Sequence, residues 1–384
     1  MKTYKCFFLI VLAGVLVSCQ NDSEDQYVGD WRRRAPFTFE GRSHAATFVI
    51  GNKGYVCCGT TGNKTPVRHV LEYSSPTTDV GQGSWKELKP FPGLAREQAV
   101  GFSLKVNGKD YGFMGTGWNG FTETLYKDFW KYDPDKDEWE EVAPLPGNVF
   151  PRRGAIAFSL EVGGKEYGYI GCGWAGDLVE EEIKNLYLAD FYRFNPGENT
   201  VIGDQTFMGK WEVVEGYGGP KRNGAAVFVV NNIAYICTGE NGSGAVSEFW
   251  AYDPNGRAGW ITYPDLRHMA DTNPDEDFDD DYGPLRRAFG VGYVVMVNGE
   301  LRGHIVGGRS GGSNWEYNHH DDLWIQRTSF FNNGAGKTVR EGMVAFSFGN
   351  GRAFVGMGKS GAYYADDMWE FIPLVDDYIY NDFQ

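Results

Sequence analysis

Six times along the chain an Arg is followed, six residues on, by an aromatic residue inside an apolar strand. The pairs are Arg42/Phe48, Arg96/Phe102, Arg152/Phe158, Arg222/Phe228, Arg287/Tyr293 and Arg340/Phe346. Successive Arg residues stand 53 to 70 residues apart. In every copy a second strand then ends in a G-x-x-G turn: Gly59/Gly62, Gly117/Gly120, Gly173/Gly176, Gly239/Gly242, Gly308/Gly311 and Gly358/Gly361. Third strands read as aromatic alternations, as in Phe129-Trp130-Lys131-Tyr132, Phe249-Trp250-Ala251-Tyr252 and Met368-Trp369-Glu370-Phe371. Fourth strands open on Trp85, Trp139, Trp211 and Trp260. A unit of this size cannot bury its apolar face alone, so the copies must stack on one another. The composition agrees: 53 of 384 residues are Gly and 16% are aromatic. Gly supplies tight turns and is costly in helices, whereas aromatic side chains fit pleated, half-buried surfaces.

The aromatic and paired-Gly landmarks resemble the kelch repeat, about 50 residues per four-stranded blade of a β-propeller. The resemblance covers residues 31–374 and implies an all-β, six-bladed kelch-type propeller forming one domain. Two departures stand out. The double Gly of the repeat is present as Gly307-Gly308 in the fifth copy only, and that copy lacks a fourth-strand Trp after Trp324. The sixth copy ends on its third strand near Trp369, while Trp31-Arg32-Arg33-Arg34-Ala35-Pro36-Phe37 has the look of a fourth strand. The expectation is that this N-terminal strand completes the last blade and removes an open sheet edge.

Ahead of the repeats, Lys2 and Lys5 flank a short apolar run, Cys6 to Val17, too short to span a bilayer and suited to a signal peptide. Leu16-Val17-Ser18-Cys19 resembles a bacterial lipobox, which implies lipidation of Cys19. Residues 1–18 would then be a signal peptide, 19–30 an acidic tether and 375–384 a tail. The tether resembles export tags of surface lipoproteins of Bacteroidetes, which implies an outer-membrane anchor, on the cell surface rather than the periplasmic face. Loss of Lys2 and Lys5 takes the formal charge from −15 to −17. That balance argues against general nucleic-acid binding, which needs a basic footprint. Cys57, Cys58, Cys172 and Cys237 show no CxxC spacing, so zinc is not expected. Cys58 and Cys172 fall at equivalent places in non-adjacent copies, so four buried free thiols are expected.

In a four-stranded up-and-down blade, the turn before strand one and the turn after strand two open on the same face. The Arg anchors and the G-x-x-G turns therefore crowd one rim. The Arg position is uniform, and two roles are open for it: pairing with a carboxylate on the next blade, or contact with an anionic ligand. The residue after the first Gly varies: Thr60, Trp118, Trp174, Glu240, Arg309 and Lys359. A uniform framework with variable inserts is how a binding face is built on a scaffold. Trp118 and Trp174 would offer indole faces for sugar stacking. Second turns are also expected to carry Trp315, Tyr317, His319 and His320 in copy five, and Glu180, Glu181 and Glu182 in copy three; a vicinal His pair suits acid/base or copper chemistry. Between copies four and five, Asp271, Asn273, Asp275 and Asp277 have the spacing of a Ca²⁺ loop but lack its Gly and terminal Glu. They make a weak metal site at most.

Three functions follow. The first is binding of a carbohydrate, an acidic glycan among the options, or of a protein partner through Arg42, Arg96, Arg152, Arg222, Arg287, Arg340, Arg309, Lys359, Glu240 and the two rim Trp, without catalysis. The second is suggested by the resemblance, since small bacterial six-bladed kelch proteins include a sialic-acid mutarotase; Glu240 beside Arg222 and Arg287 would then carry acid/base work. The third is a structural adaptor in a surface complex. Galactose oxidase carries a kelch-like propeller with a copper site, but the cysteines here lie in second strands away from the rim. No cofactor is expected.

Overall fold

The computed structural model describes residues 27–176, 186–263, 285–309, 311–320, 322–330 and 339–373. Among them are six antiparallel four-stranded sheets and no helix. Blade two is representative: Val100–Val106, Lys109–Gly115, Phe129–Asp133 and Glu138–Val142 run from the inside outward. First strands of successive blades touch in a closed circuit, so the sheets form a six-bladed propeller. The sixth sheet takes its outermost strand from the other end of the chain. Asp30–Arg33 pairs antiparallel with Met368–Ile372, placing Trp31 opposite Phe371.

The core is six layers, one between each pair of adjacent blades. The aromatic of each Arg/aromatic pair reaches across into the next blade. Phe48, Phe102, Phe228 and Phe346 lie over Gly112, Gly168, Gly303 and Gly54, where any Cβ would come within 2.0–2.5 Å of the ring. That close approach is why the second strand carries a small residue there.

One departure from the repeat is removed by the strand pairing. In blade five, Asn314–Asn318 is the third strand and Leu323–Arg327 the fourth, so Trp324 is the fourth-strand Trp. It faces Tyr317 as Trp85 faces Tyr73 and Trp139 faces Tyr132. Trp315 and Tyr317, expected in a rim turn, are third-strand core residues, each 2% exposed or less. His319 and His320 lie in the turn between strands three and four, on the face opposite the rim, with His320 Nε2 3.2 Å from Glu300.

The missing double Gly has a conformational answer. The residue before the turn Gly is Cys58, Thr116, Cys172, Thr238 and Met357 in five blades, and each has φ between 55° and 64°, close to the 69° of Gly307. The left-handed turn survives without the residue that favours it. Cys57, Cys58, Cys172 and Cys237 are buried free thiols.

Candidate functional site

The six framework Arg side chains explain that turn. In every blade Nη1 donates to the carbonyl of the left-handed residue: Arg42 to Cys58, Arg96 to Thr116, Arg152 to Cys172, Arg222 to Thr238, Arg287 to Gly307 and Arg340 to Met357, over 3.0–3.5 Å. The guanidinium then meets the residue preceding the third strand of its own blade. Asp128, Asp190 and Asp367 give bidentate pairs to Arg96, Arg152 and Arg340. Arg222 uses the Glu248 carbonyl and Arg287 uses Ser313. Blade one has His69 at that place, and among the described residues the buried Nε and Nη2 of Arg42 have no hydrogen-bond partner. Burial lowers Arg42 to about 10, and Arg287 likewise to about 10.

These contacts correct the expectation of a cationic ring facing a ligand. Each of the six Arg is no more than 8% exposed, and the carboxylates that pair with them belong to the same blade rather than the next. Their geometry serves the scaffold: one guanidinium ties the entry to strand one, the turn after strand two and the start of strand three.

Two residues further on, the chain turns into the central channel. His44, Gln98, Gly154, Gly224, Phe289 and Gly342 all have φ between 53° and 64°. Their peptides form a closed circle in which each N–H donates to the carbonyl of the preceding blade: Gln98 to His44, Gly154 to Gln98, Gly224 to Gly154, Phe289 to Gly224, Gly342 to Phe289 and His44 to Gly342, at 2.8–3.0 Å. The three side chains of this circle fill the space over its three glycines. His44 lies against Gly342, Phe289 against Gly224 and Gln98 against Gly154. His44 is buried, its Nε2 has no hydrogen-bond partner, and desolvation pulls it down to about 4, so the ring is neutral at pH 7.

Between framework Arg and channel residue lies a position that sequence reading passed over: Ser43, Glu97, Arg153, Asn223, Ala288 and Glu341. Each is bonded through its backbone to the variable turn residue of its own blade, respectively Thr60, Trp118, Trp174, Glu240, Arg309 and Lys359. The rim is thus a double row. The only sequence signal for the inner row was its place directly after each framework Arg.

Side chains of the two rows interlock around the mouth. Arg309 Nη1 bonds both Glu240 oxygens at 2.6 and 2.7 Å, while its Nε bonds Glu341 at 2.5 Å. Lys359 Nζ reaches the other Glu341 oxygen at 3.2 Å. Burial alone would lower Arg309, but its bonds to Glu341 and Glu240 more than reverse this and hold it cationic. For Glu341, burial acts upward and the Arg309 bond outweighs it, keeping the carboxyl below its usual range. The side chain of Glu240 therefore pairs with Arg309, where the sequence had suggested Arg222 and Arg287. Across the mouth, Glu97 accepts from Trp118 Nε1 at 3.0 Å and Thr60 Oγ1 at 2.5 Å. Trp118 and Trp174 are neighbours on the rim, but Arg153 lies between them, 3.9 and 4.3 Å from their ring centroids. One face of each indole is thereby occupied by a guanidinium and not open to a sugar.

The mouth therefore offers three carboxylates and three cations within one polar surface. Carboxylates can accept and return a sugar hydroxyl proton, and guanidinium groups bind anionic substituents. Among the described residues no group of three His, Cys, Asp or Glu could hold a metal ion. The candidates Asp271, Asn273, Asp275 and Asp277, the triad Glu180–Glu182 and the lipidation residue Cys19 lie outside the described residues.

Comparison with known proteins agrees with the architecture and adds a direction. A family model described as the Kelch motif matches residues 117–146, the rim turn and outer half of blade two. N-acetylneuraminate epimerase of Yersinia enterocolitica is 38% identical over 69 residues, 17% of either chain. The protein of the same name from Salmonella typhi is 36% identical over 100 residues, 25% of this chain and 23% of that protein. The one from Salmonella arizonae is 43% identical over 60 residues, 15% of each. Each match spans less than a quarter of the relative's own length.

Proposed function

We propose that this six-bladed propeller, which carries the kelch motif, exchanges the anomers of an acidic sugar of the N-acetylneuraminate type at its channel mouth. The observation that carries the reading is Arg309 clamped between Glu240 and Glu341, two carboxylates on opposite sides of one guanidinium at an exposed rim. Partial likeness to N-acetylneuraminate epimerases supports the substrate class.

Anomer exchange needs little machinery. A carboxylate removes the proton of the anomeric hydroxyl, the bond from the anomeric carbon to the ring oxygen breaks, and the carboxylic acid so formed gives that proton to the ring oxygen. The open-chain ketone rotates and closes by the reverse steps on its other face. In this reading Glu240 takes the hydroxyl proton, with Arg309 bonded to both of its oxygens, and Glu341 is its counterpart across the guanidinium. The test is NMR exchange between the two anomers of N-acetylneuraminate. The chain should raise the rate above buffer, and Glu240→Gln should cut the enhancement at least tenfold, the scale of a positioned acid or base. A wild-type rate equal to buffer overturns the reading. Simple glycan or protein binding at the same rim would leave that rate unchanged.

The location belongs to the same proposal: a lipid on Cys19 anchors the propeller to the outer membrane, facing outward. Metabolic labelling with a fatty acid should mark the wild type and not Cys19→Ser.

A further inference from the structure

The charges of the rim are not equally committed. Arg309 is held by two carboxylates and Lys359 by one. Arg153 differs: among the described residues no carboxylate and no carbonyl accepts from its side chain, and its Nε is buried without a partner. Its guanidinium carbon lies over both indole rings, 3.9 Å from the Trp118 centroid and 4.3 Å from that of Trp174, which leaves the nitrogen-bearing edge for hydrogen bonding. Stacking between two indoles fixes the plane of the group, which is the costly part of presenting a bidentate donor.

Two further unsatisfied groups lie beside it. Gln98 Oε1 and Asn223 Oδ1 are buried with no hydrogen-bond partner. A Cβ placed on Gly154, the next residue after Arg153, would be 3.2 and 1.9 Å from these two oxygens. The two acceptors thus converge on one point at the foot of the Arg153 stack. Buried acceptors without donors are costly, and a ligand carrying hydroxyl or amide N–H groups would supply what they lack.

We infer that Arg153, clamped between Trp118 and Trp174, is the carboxylate anchor of the rim site, and that Gln98 and Asn223 take hydrogen bonds from the polar substituents of the same ligand. This deepens the acidic-sugar reading and rests on it for the sugar. Arg153 is a positioning and specificity residue; the proton transfers lie with Glu240 and Glu341. Burial lowers the proton affinity of Arg153, and the nearby Glu97 carboxylate opposes this only in part.

Calorimetric titration of the full chain with N-acetylneuraminate and, separately, with its methyl ester tests this without relying on any variant. The ester keeps the sugar and removes the charge. The acid should bind at least tenfold more tightly, and that preference should shrink as salt is raised. Arg153→Gln should abolish the preference, while Arg153→Lys, a point charge lacking the fork, should keep only part of it. Equal affinity for acid and ester in the wild type overturns the inference, as does a preference that survives Arg153→Gln. Absence of binding by either sugar overturns both readings together. Preferential binding of the acid without accelerated anomer exchange leaves the anchor standing and removes the catalysis.

Discussion

At the scale of single residues, the left-handed turn shows how a framework contact sustains an unfavourable conformation. Thr116 holds φ of 59° although a β-branched residue there is strained, by roughly 1–2 kcal/mol. Its carbonyl is held by Arg96, and its own hydroxyl is buried with no partner. Thr116→Gly would relieve the backbone and remove the orphaned hydroxyl, at the loss of two buried carbons, Cβ and Cγ2, about 1.6 kcal/mol. The variant should be more stable by about 1 kcal/mol in urea unfolding, with an unchanged dependence on urea concentration. A destabilised Thr116→Gly would mean that the lost carbons outweigh the strain. The paired Gly of the repeat is thus a preference of the turn, and the Arg carbonyl clamp is its common mechanical feature.

At the scale of strands, the second strand of each blade presents one residue to the inter-blade layer at a fixed place. Tyr55, Phe113, Tyr169, Tyr235 and Phe354 occupy it in five blades, and His304 in the fifth. His304 is fully buried, stacks on Tyr293 at 4.8 Å, and among the described residues neither ring nitrogen makes a well-formed hydrogen bond; Glu316 is 3.7 Å away and the Asn314 side chain is a further polar neighbour. Desolvation lowers it from 6.5 to about 4, against the pull of Glu316. Below pH 6.5 the unfolded chain takes up a proton that the folded chain refuses until about pH 4. Stability contributed by the neutral ring is therefore present above pH 6.5 and lost as pH falls towards 4. His304→Phe restores the aromatic of the other blades, so the fall in Tm between pH 7 and pH 5 should be several degrees smaller than in the wild type. Parallel slopes would show that this histidine does not report on folding. His44, also held near 4, should account for part of what remains.

At the scale of the whole molecule, the problem is closure. The peptide circle through His44, Gln98, Gly154, Gly224, Phe289 and Gly342 joins all six blades at the axis, and a second circle runs from each turn Gly N–H to the next framework Arg carbonyl. The outer closure is ionic. Glu370, 2% exposed on the third strand of blade six, receives both Arg34, the residue after the N-terminal strand, and Arg352. Arg34 also donates to the Asp79 and Gly81 carbonyls of blade one, and Arg352 to that of Pro76. Glu370→Ala leaves two guanidinium groups without their carboxylate at the joint between first and last blades. It should cost about 3–5 kcal/mol, read as a lower urea midpoint. A change within 0.5 kcal/mol, the range of about an ordinary surface substitution, would assign closure to the peptide circles alone.

Much of this was legible in the chain before any coordinates. Six Arg/aromatic pairs and six paired-Gly turns specify a repeat that must stack, because a four-stranded sheet of this length has apolar faces that only a neighbour can cover. Local spacing also marked Thr60, Trp118, Trp174, Glu240, Arg309 and Lys359 as one row. What a linear chain does not carry is which groups satisfy each other. The framework Arg residues read equally well as ligands or as scaffold; only burial and the turn carbonyls assigned them to the scaffold. Trp324 read as a third-strand residue until strand pairing set it opposite Tyr317. Arg153, Glu97 and Glu341 carried no motif, because their meeting at the mouth depends on blades far apart in sequence being brought round one axis. Periodicity along the chain determines the repeat and the fold it closes into. The partner of each buried or rim charge is decided by distance in space, since desolvation and pairing act through a few ångströms whatever the separation in sequence.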